Sequence, residues 1–181
     1  ILLLSCGSVY RALGNYEAAE KSYLAAEKIW RKDGNLSWQS AALNNLALLY
    51  HEALGEYEKA NIFYKDALAC ARRCRYMASE AMIEIGLGEL YMELGETDGA
   101  RQSFEQAEAI ARKIEDRFVG HYLVIAQAAL STLLGNIEQA RQMLAQARPA
   151  IEASQSQYLL GLWLLQSGRL ELAQGEARAA A

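Results

Sequence analysis

The chain contains very few of the residues that build β-sheets. Only 3 valines and 2 threonines occur among its 181 residues, against 32 alanines and 27 leucines, and proline occurs once, at Pro149. Alanine and leucine favour helices, whereas β-branched residues are enriched in strands. These shortages argue against a sheet protein and predict an all-α fold.

Positive charge is also in short supply, because the net charge is −4 and the isoelectric point lies near 5.3. A phosphate backbone is held mainly by lysine and arginine, so we expect no direct binding of nucleic acid by this segment. Hydrophobic residues make up 52% of the chain and charged residues 22%, which supplies enough apolar material for a folded core.

The sequence lacks a clear membrane signal. The first six residues, Ile1 to Cys6, superficially resemble the end of a lipoprotein signal, but no basic segment precedes them and their apolar run is too short. We therefore expect no membrane association. The chain has no initiator methionine and closes on the helix-forming run 179–181, which indicates a fragment of a longer, multidomain protein.

Cysteine is too scarce for a disulfide framework. The three cysteines, Cys6, Cys70 and Cys74, are an odd number, and the last two lie one turn apart on a predicted helix. A bridge between them would constrain little even if it formed. We expect reduced thiols in a cytoplasmic protein, and partly buried positions for Cys70 and Cys74.

The sequence repeats itself about every 40 residues. Leu-Gly pairs end at Gly14, Gly55, Gly95 and Gly135, and a further step of 40 residues reaches Gly175. Each glycine is followed five residues later by an alanine: Ala19, Ala60, Ala100, Ala140 and Ala180. Self-similarity at this period is typical of helical repeat arrays.

Small and large side chains recur at fixed positions of the repeat, as close helix packing requires. Large residues that should fill the space between hairpins stand nine residues after each glycine: Tyr23, Tyr64, Phe104 and Leu144. Small residues hold the matching position on the first helices: Gly7, Ala47, Gly88, Ala128 and Gly168. The second repeat needs one extra residue, within 51–53, to stay in register.

The repeats predict paired helices in one continuous domain that spans residues 1–181. The glycines should end each first helix in the left-handed conformation, and acids at helix starts and bases at helix ends should offset the helix dipoles. We predict helices at 1–13, 16–33, 36–54, 57–74, 76–94, 97–114, 117–134, 137–154 and 157–174, with the start of a tenth. The repeats are 1–35, 36–75, 76–116, 117–156 and a partial one at 157–181.

These repeats resemble tetratricopeptide repeats. Residues 42–50 (ALNNLALLY), 54–60 (LGEYEKA) and 63–68 (FYKDAL) carry the signature, and the resemblance covers the whole chain. The period of about 40 exceeds the common 34. Such long repeats resemble those of kinesin light chains and, among bacterial proteins, the sensor arrays of LuxR-type and antibiotic-regulator-type transcriptional regulators, which the Ala- and Arg-rich segment 69–73 favours.

The resemblance implies a right-handed α-solenoid of about four and a half repeats, with no catalytic machinery and no cofactor. Its first helices line a concave groove that binds a protein or peptide, or a neighbouring domain of the same chain. Mapped onto this sequence, the groove comprises Arg11, Asn44, Asn45, Leu48, His51, Glu52, Ile85, Glu89, Met92, Glu93, Tyr122, Ile125, Leu133 and Arg169.

Two pairs of groove residues suggest what the groove binds. Asn44 and Asn45 are adjacent carboxamides in mid-helix, which can pair with the backbone of a ligand or, alternatively, bond a neighbouring helix or loop. An asparagine at this place in the family often contacts peptide. Glu89 and Glu93 would repel the terminal carboxylate that chaperone-binding members clamp. A ligand with basic or apolar groups is therefore expected.

Other conspicuous residues have structural explanations. Glu52, Glu89, Glu93 and His51 lack the Glu-x-x-His or His-x-x-x-His spacing of a metal site, so we predict neither a metal site nor catalysis. We expect His121 to be exposed or capping, and Gly86-Leu87-Gly88 to serve helix packing. Packing roles are also expected for the tryptophans and for the tyrosines that recur with the repeat: Trp30, Trp38, Trp163, Tyr10, Tyr50 and Tyr91.

Three functional hypotheses follow. The first is a protein-interaction module that serves as the regulatory part of a bacterial transcriptional regulator. The second is a small-molecule sensor that uses the apolar section around Tyr122, Ile125, Leu133 and Leu165. The third is self-association into a homo-oligomer through the array or its ends.

Overall fold

A computed structural model of the chain describes residues 2–179, with side chains up to residue 175. Within these residues the chain is helical throughout and contains no strand, which confirms the all-α prediction. The helices are α1 (Leu2–Ala12), α2 (Tyr16–Lys32), α3 (Leu36–Leu48), α4 (Tyr57–Arg73), α5 (Met77–Glu93), α6 (Thr97–Ile114), α7 (Arg117–Leu133), α8 (Ile137–Ala153) and α9 (Gln157–Ala179), and a π-helical segment, Leu49–Leu54, extends α3.

The helices form four pairs and a final single helix, which is the arrangement of an α-solenoid. Each helix packs on the helices before and after it in the chain. The first helices of successive pairs also contact one another, in the order α1, α3, α5, α7 and α9, whereas contacts between second helices are weaker throughout the described residues. The stack therefore curves with its first helices on the inner, concave side.

The end of the chain differs from the prediction. Instead of stopping near residue 174 before a tenth helix, α9 continues through Gly175 to Ala179. Gly175 follows Gln174, whereas each of the other repeat glycines follows a leucine. A single glycine in a helix costs only about 1 kcal/mol and does not end it. Ile1 and the repeat alanine Ala180 lie outside the described residues.

The predicted left-handed glycines are confirmed. The turns within the helical pairs place Gly14, Gly55, Gly95 and Gly135 at φ between +67° and +77°. The turns between pairs also have a left-handed residue, one repeat apart each time: Gly34, Arg75, Glu115 and Gln155. At both turns of the repeat, a residue in the left-handed conformation therefore reverses the chain.

The predicted small-to-large packing is also confirmed. Tyr23, Tyr64 and Phe104 are buried almost completely between the helices. A Cβ atom at Gly7 would lie 2.4 Å from Tyr23 Cε1, and one at Gly88 would lie 2.3 Å from Phe104 Cε1. At these positions only glycine lets the aromatic ring approach the helix backbone.

The extra residue of the second repeat is absorbed by the π-helical segment. The amide of Gly55 donates to the carbonyl of Tyr50, five residues earlier, where an α-helix would bond four residues back. Tyr50 and His51 are buried within the segment. The insertion therefore stays local, and α4 begins in register with the other second helices.

Charges and aromatic residues follow the predictions with two exceptions. Acids open and bases close α2, α4 and α6, but Arg148 lies before the last turn of α8, where it pairs with Glu152 at 2.7 Å. Tyr10 is 39% exposed, so it does not have the packed position expected for it. The other aromatic residues pack as expected: Trp30 stacks on Trp38 at 5.9 Å, and Trp163 Nε1 donates to the carbonyl of Leu144.

Candidate functional site

The concave side contains a cavity of about 490 Å³ whose walls come from first helices only. The π-helical segment, α5, α7 and α9 each contribute to it, and no residue of a second helix lines it. Nine of the 14 predicted groove residues lie in its walls: His51, Glu52, Glu89, Met92, Glu93, Tyr122, Ile125, Leu133 and Arg169.

Five predicted groove residues lie elsewhere. Arg11 is at the edge, where its guanidinium pairs with Glu52 at 2.7 Å. Asn44 and Leu48 are partly buried on α3, and Asn45 Nδ2 donates to the carbonyl of Ala41 in its own helix at 3.0 Å. The prediction for Ile85 is wrong, because its side chain is completely buried in the core and cannot line a groove.

The repeat period carries a signal that would have found further lining residues. Six further residues line the cavity. One of them, Leu165, belongs to the apolar section of the small-molecule hypothesis. The other five are not among the predicted groove residues: Ala126, Ala129, Tyr158, Leu162 and Gln166. Leu162 and Leu165 stand 40 residues after Tyr122 and Ile125. Stepping each inner position of one repeat to the next would have placed them on the concave side.

Glu89 is the carboxylate most enclosed by the cavity. It keeps some contact with solvent but is surrounded by protein, and Tyr122 donates its hydroxyl to Glu89 Oε2 at 2.9 Å. Desolvation, with repulsion from Glu52 and Glu93, raises the pKa of Glu89 from 4.5 to about 7, against the lowering effect of the Tyr122 hydroxyl. Burial first, and then the nearby Glu89, raises the pKa of Tyr122 well above its ordinary value.

His51 forms the other polar part of the wall. Its ring is buried against Tyr57 and Tyr64, with Nδ1 3.3 Å from the Tyr64 hydroxyl. Nε2 lies 3.3 Å from Glu93 Oε2, but the two groups are not aligned for a hydrogen bond. The Glu93 carboxylate also raises the pKa of the Tyr57 hydroxyl. One end of the cavity is therefore acidic and only partly neutralised.

The other end of the cavity is apolar. Tyr158 meets Tyr122 edge to face, with ring centroids 6.1 Å apart, and Leu133 and Leu165 are both more than half exposed toward solvent. The groove therefore changes from acidic to apolar along its length. Such a wall suits a ligand that combines an apolar body with a polar head.

The described residues contain no group of three or more histidine, cysteine, aspartate or glutamate side chains that could hold a metal ion. Cys70 is buried and Cys74 partly buried, as expected. His121 is partly buried rather than fully exposed, and its Nδ1 has no hydrogen-bond partner. No helix in the described part of the chain is long and apolar enough to span a membrane.

Several solved structures have folds similar to that of this chain. BtubC (BKLC) from P. vanneervenii aligns with a TM-score of 0.71 and 24% identity, over 84% of this chain and 63% of that chain. RapI in its apo form aligns with a TM-score of 0.74 and 16% identity, over 98% of this chain and 52% of that chain. A putative kinesin light chain from Podosopora anserina with nearly identical TPR-like repeats aligns with a TM-score of 0.66 and 21% identity. The alignment covers 98% of this chain and 87% of that chain. The chain thus spans less than two thirds of the first two proteins.

These similarities define the class of fold, an α-solenoid of helical pairs. Two family profiles then identify the repeats: each is described as a tetratricopeptide repeat, and they match residues 1–73 and 85–114. Residues 1–73 and 85–114 thus match tetratricopeptide repeats, a type of scaffold that is generally non-catalytic and mediates protein interactions, and the other described helices continue the same fold. No curated protein matches the chain significantly.

Proposed function

We propose that the chain is a protein-interaction module that holds a segment of a partner protein in the concave cavity. The observation that carries this proposal is the composition of the walls, which come only from the π-helical segment, α5, α7 and α9. The inner faces of these first helices line the cavity and are therefore open to contact with a ligand. The volume of about 490 Å³ accommodates one or two side chains of a bound peptide.

The first experiment fills the cavity. Ala129 is partly exposed in the wall, so Ala129→Trp places a bulky ring in the cavity without disturbing the buried core. Ala109→Trp is the matched control, because Ala109 is exposed on α6 and lines no part of the cavity. Peptides selected from a displayed library on the unmodified chain should bind Ala109→Trp normally.

The same peptides should lose at least about tenfold in affinity for Ala129→Trp, since the ring excludes them from a central part of the interface. Fluorescence anisotropy measures both affinities, and the melting temperature of each variant reports whether it is folded. Equal binding of every selected peptide to both variants would place the interaction outside the cavity and contradict the proposal.

The cavity volume also favours a second candidate function, the sensing of a small molecule. Ligand sites of small molecules are typically concave, largely apolar and about 300–1,000 Å³ in volume. A metabolite that binds the folded chain raises its melting temperature by mass action. In this case a metabolite should raise the melting temperature of the unmodified chain and of Ala109→Trp, but not that of Ala129→Trp.

We further propose that this module is the regulatory or sensor part of a bacterial transcriptional regulator that acts in the cytoplasm. The support is the sequence resemblance of its long, Ala- and Arg-rich repeats to such sensor arrays. Sequencing the parent reading frame on both sides of the segment tests it. A neighbouring nucleotide-binding or helix-turn-helix domain is the expected result, whereas additional repeats alone would favour a free-standing adaptor.

A further inference from the structure

We propose that the cavity recognises a basic side chain, lysine or arginine, of the bound segment, with its charged head beside Glu89 and its aliphatic stem along the apolar wall. This inference rests on the proposed function and specifies the chemistry of the segment that the module binds.

The charges of the walls favour a cation. Three carboxylates, those of Glu52, Glu89 and Glu93, line the cavity, and among the side chains that the structure describes only Glu52 has an arginine within ion-pair distance. Arg169 is the single cationic residue in the walls, and it makes no ion pair with any residue whose side chain the structure describes. An anionic ligand would meet net repulsion at this end, whereas a cation would be attracted.

Glu89 is the carboxylate that a cation would stabilise most. Within the described part of the chain, its one hydrogen-bond donor is the neutral hydroxyl of Tyr122, at 2.9 Å. Desolvation and the two neighbouring carboxylates raise its pKa to about 7, which means that the ionised form lacks a compensating positive charge. An ammonium or guanidinium group placed beside it would supply that charge.

Two buried polar side chains in the same walls lack partners. Gln166 is only 7% exposed and its Oε1 accepts no hydrogen bond from the described residues; His51 is only 5% exposed, and its Nε2 makes none with them either. Native proteins leave few buried polar atoms unpaired, so each such atom calls for an explanation. Gln166 Oε1 is a hydrogen-bond acceptor, and the N–H groups of a lysine or arginine side chain would supply the donor.

The apolar end fits the rest of a lysine or arginine. The rings of Tyr122 and Tyr158, with Ile125 and Leu162, form a continuous wall next to the acidic end. Long basic side chains bury their methylene stems along such surfaces while the charged head finds a polar group. Aromatic rings add attraction for a nearby cation. A short acidic or purely apolar side chain would use only part of this wall.

The experiment starts from library peptides that bind the unmodified chain but fail to bind Ala129→Trp, and which therefore depend on the cavity. These peptides should share a lysine or arginine at one position. Replacing that residue with norleucine, which keeps the stem and removes the charge, should weaken binding to the unmodified chain at least about tenfold. On Glu89→Gln the same replacement should change affinity less than about twofold.

Two further variants separate charge from shape. Glu89→Asp keeps the negative charge and should preserve the preference for the basic peptide, whereas Glu171→Gln removes an exposed carboxylate of α9 outside the cavity and should change nothing. Cavity-dependent peptides without a shared basic residue, or a norleucine effect that is equal on the unmodified chain and on Glu89→Gln, would overturn this inference alone. Failure to find any cavity-dependent peptide would instead overturn the proposed function.

Discussion

At the scale of single residues, Glu89 stands out because its ionised form is unfavourable in the folded chain. The raised pKa of about 7, compared with an ordinary 4.5, means that the folded chain holds this proton more tightly than the unfolded chain does. Folding stability therefore falls as the pH rises from about 4.5 to about 7, and the full cost of the charge is present above pH 7.

Glu89→Gln should remove this cost. Glutamine is neutral at every pH and its side-chain oxygen can still accept the hydrogen bond from Tyr122. We expect the variant to be more stable than the unmodified chain at pH 8, by up to about 3 kcal/mol, and to have similar stability at pH 5. Urea unfolding at the two pH values measures the difference.

The matched control for this prediction is Glu171→Gln, which makes the same chemical change on the exposed side of α9. Its effect on stability should be small at both pH values. A gain for Glu89→Gln that is equal at pH 5 and pH 8 would show that the ionisation of Glu89 is not the cause.

At the scale of the helices, stability depends on the fit between a small residue of one helix and a large residue of the next. Gly88 on α5 and Gly168 on α9 occupy the same position of the repeat, two repeats apart, but only Gly88 faces a ring. A Cβ at Gly88 would lie 2.3 Å from Phe104 Cε1, whereas nothing lies within 4 Å of a Cβ at Gly168. The same substitution should therefore have opposite effects at the two positions.

Gly88→Ala should destabilise the chain by about 1–3 kcal/mol, because the ring of Phe104 is buried and must move. Gly168→Ala should stabilise it by about 0.5–1 kcal/mol, because alanine is the better residue in an exposed helix interior. Thermal unfolding of both variants checks the pair. Combining Gly88→Ala with Phe104→Leu should recover part of the loss, and equal losses at both glycines would contradict the packing explanation.

At the scale of the whole molecule, the core is divided unevenly along the array. A large cluster of buried residues links α1 through α5, and a second links α5 through α9. The cluster that joins α8 to the middle of α9 contains only Ala128, Ala140, Leu144 and Leu170 as buried members. Pro149 also removes one backbone hydrogen bond from α8.

We therefore expect the array to open from α8 and α9. Contacts in a solenoid run mainly between neighbouring repeats, so parts of it can unfold locally. Hydrogen exchange followed by mass spectrometry should show faster exchange in 137–175 than in 36–114 under native conditions. Uniform protection along the chain would instead indicate a single cooperative unit.

The fold could be predicted from the sequence because the same pattern of small and large residues occurs in several successive repeats. Leu-Gly pairs, alanines at fixed distances and one large residue per hairpin located the helices to within a few residues. The spacing of the repeats also reveals the extra residue of the second repeat. It does not reveal that a π-helical segment accommodates this residue. The path of α9 was less predictable, because Gly175 has the spacing of a turn but lacks the leucine before it.

The candidate site could be predicted only in part. Spacing identifies the concave side of a first helix, and most of the cavity residues were found in this way. The prediction for Ile85 fails because α5 packs against α3, α4, α6 and α7 and its buried residues occur on several sides, so its hydrophobic pattern does not mark an inner face. The contact between Tyr122 and Glu89 joins residues 33 positions apart and depends on how two repeats are stacked.

Only the first helix of a pair contributes to the cavity, and this difference between the two helices has a practical consequence for protein engineering. The residues that line the cavity lie on the π-helical segment and on α5, α7 and α9, whereas α4, α6 and α8 contribute none of them. A designer can thus exchange the inner positions of α5, α7 and α9 as a set while keeping α4, α6 and α8 as a constant frame. The array offers a ready scaffold on which new binding specificities can be selected.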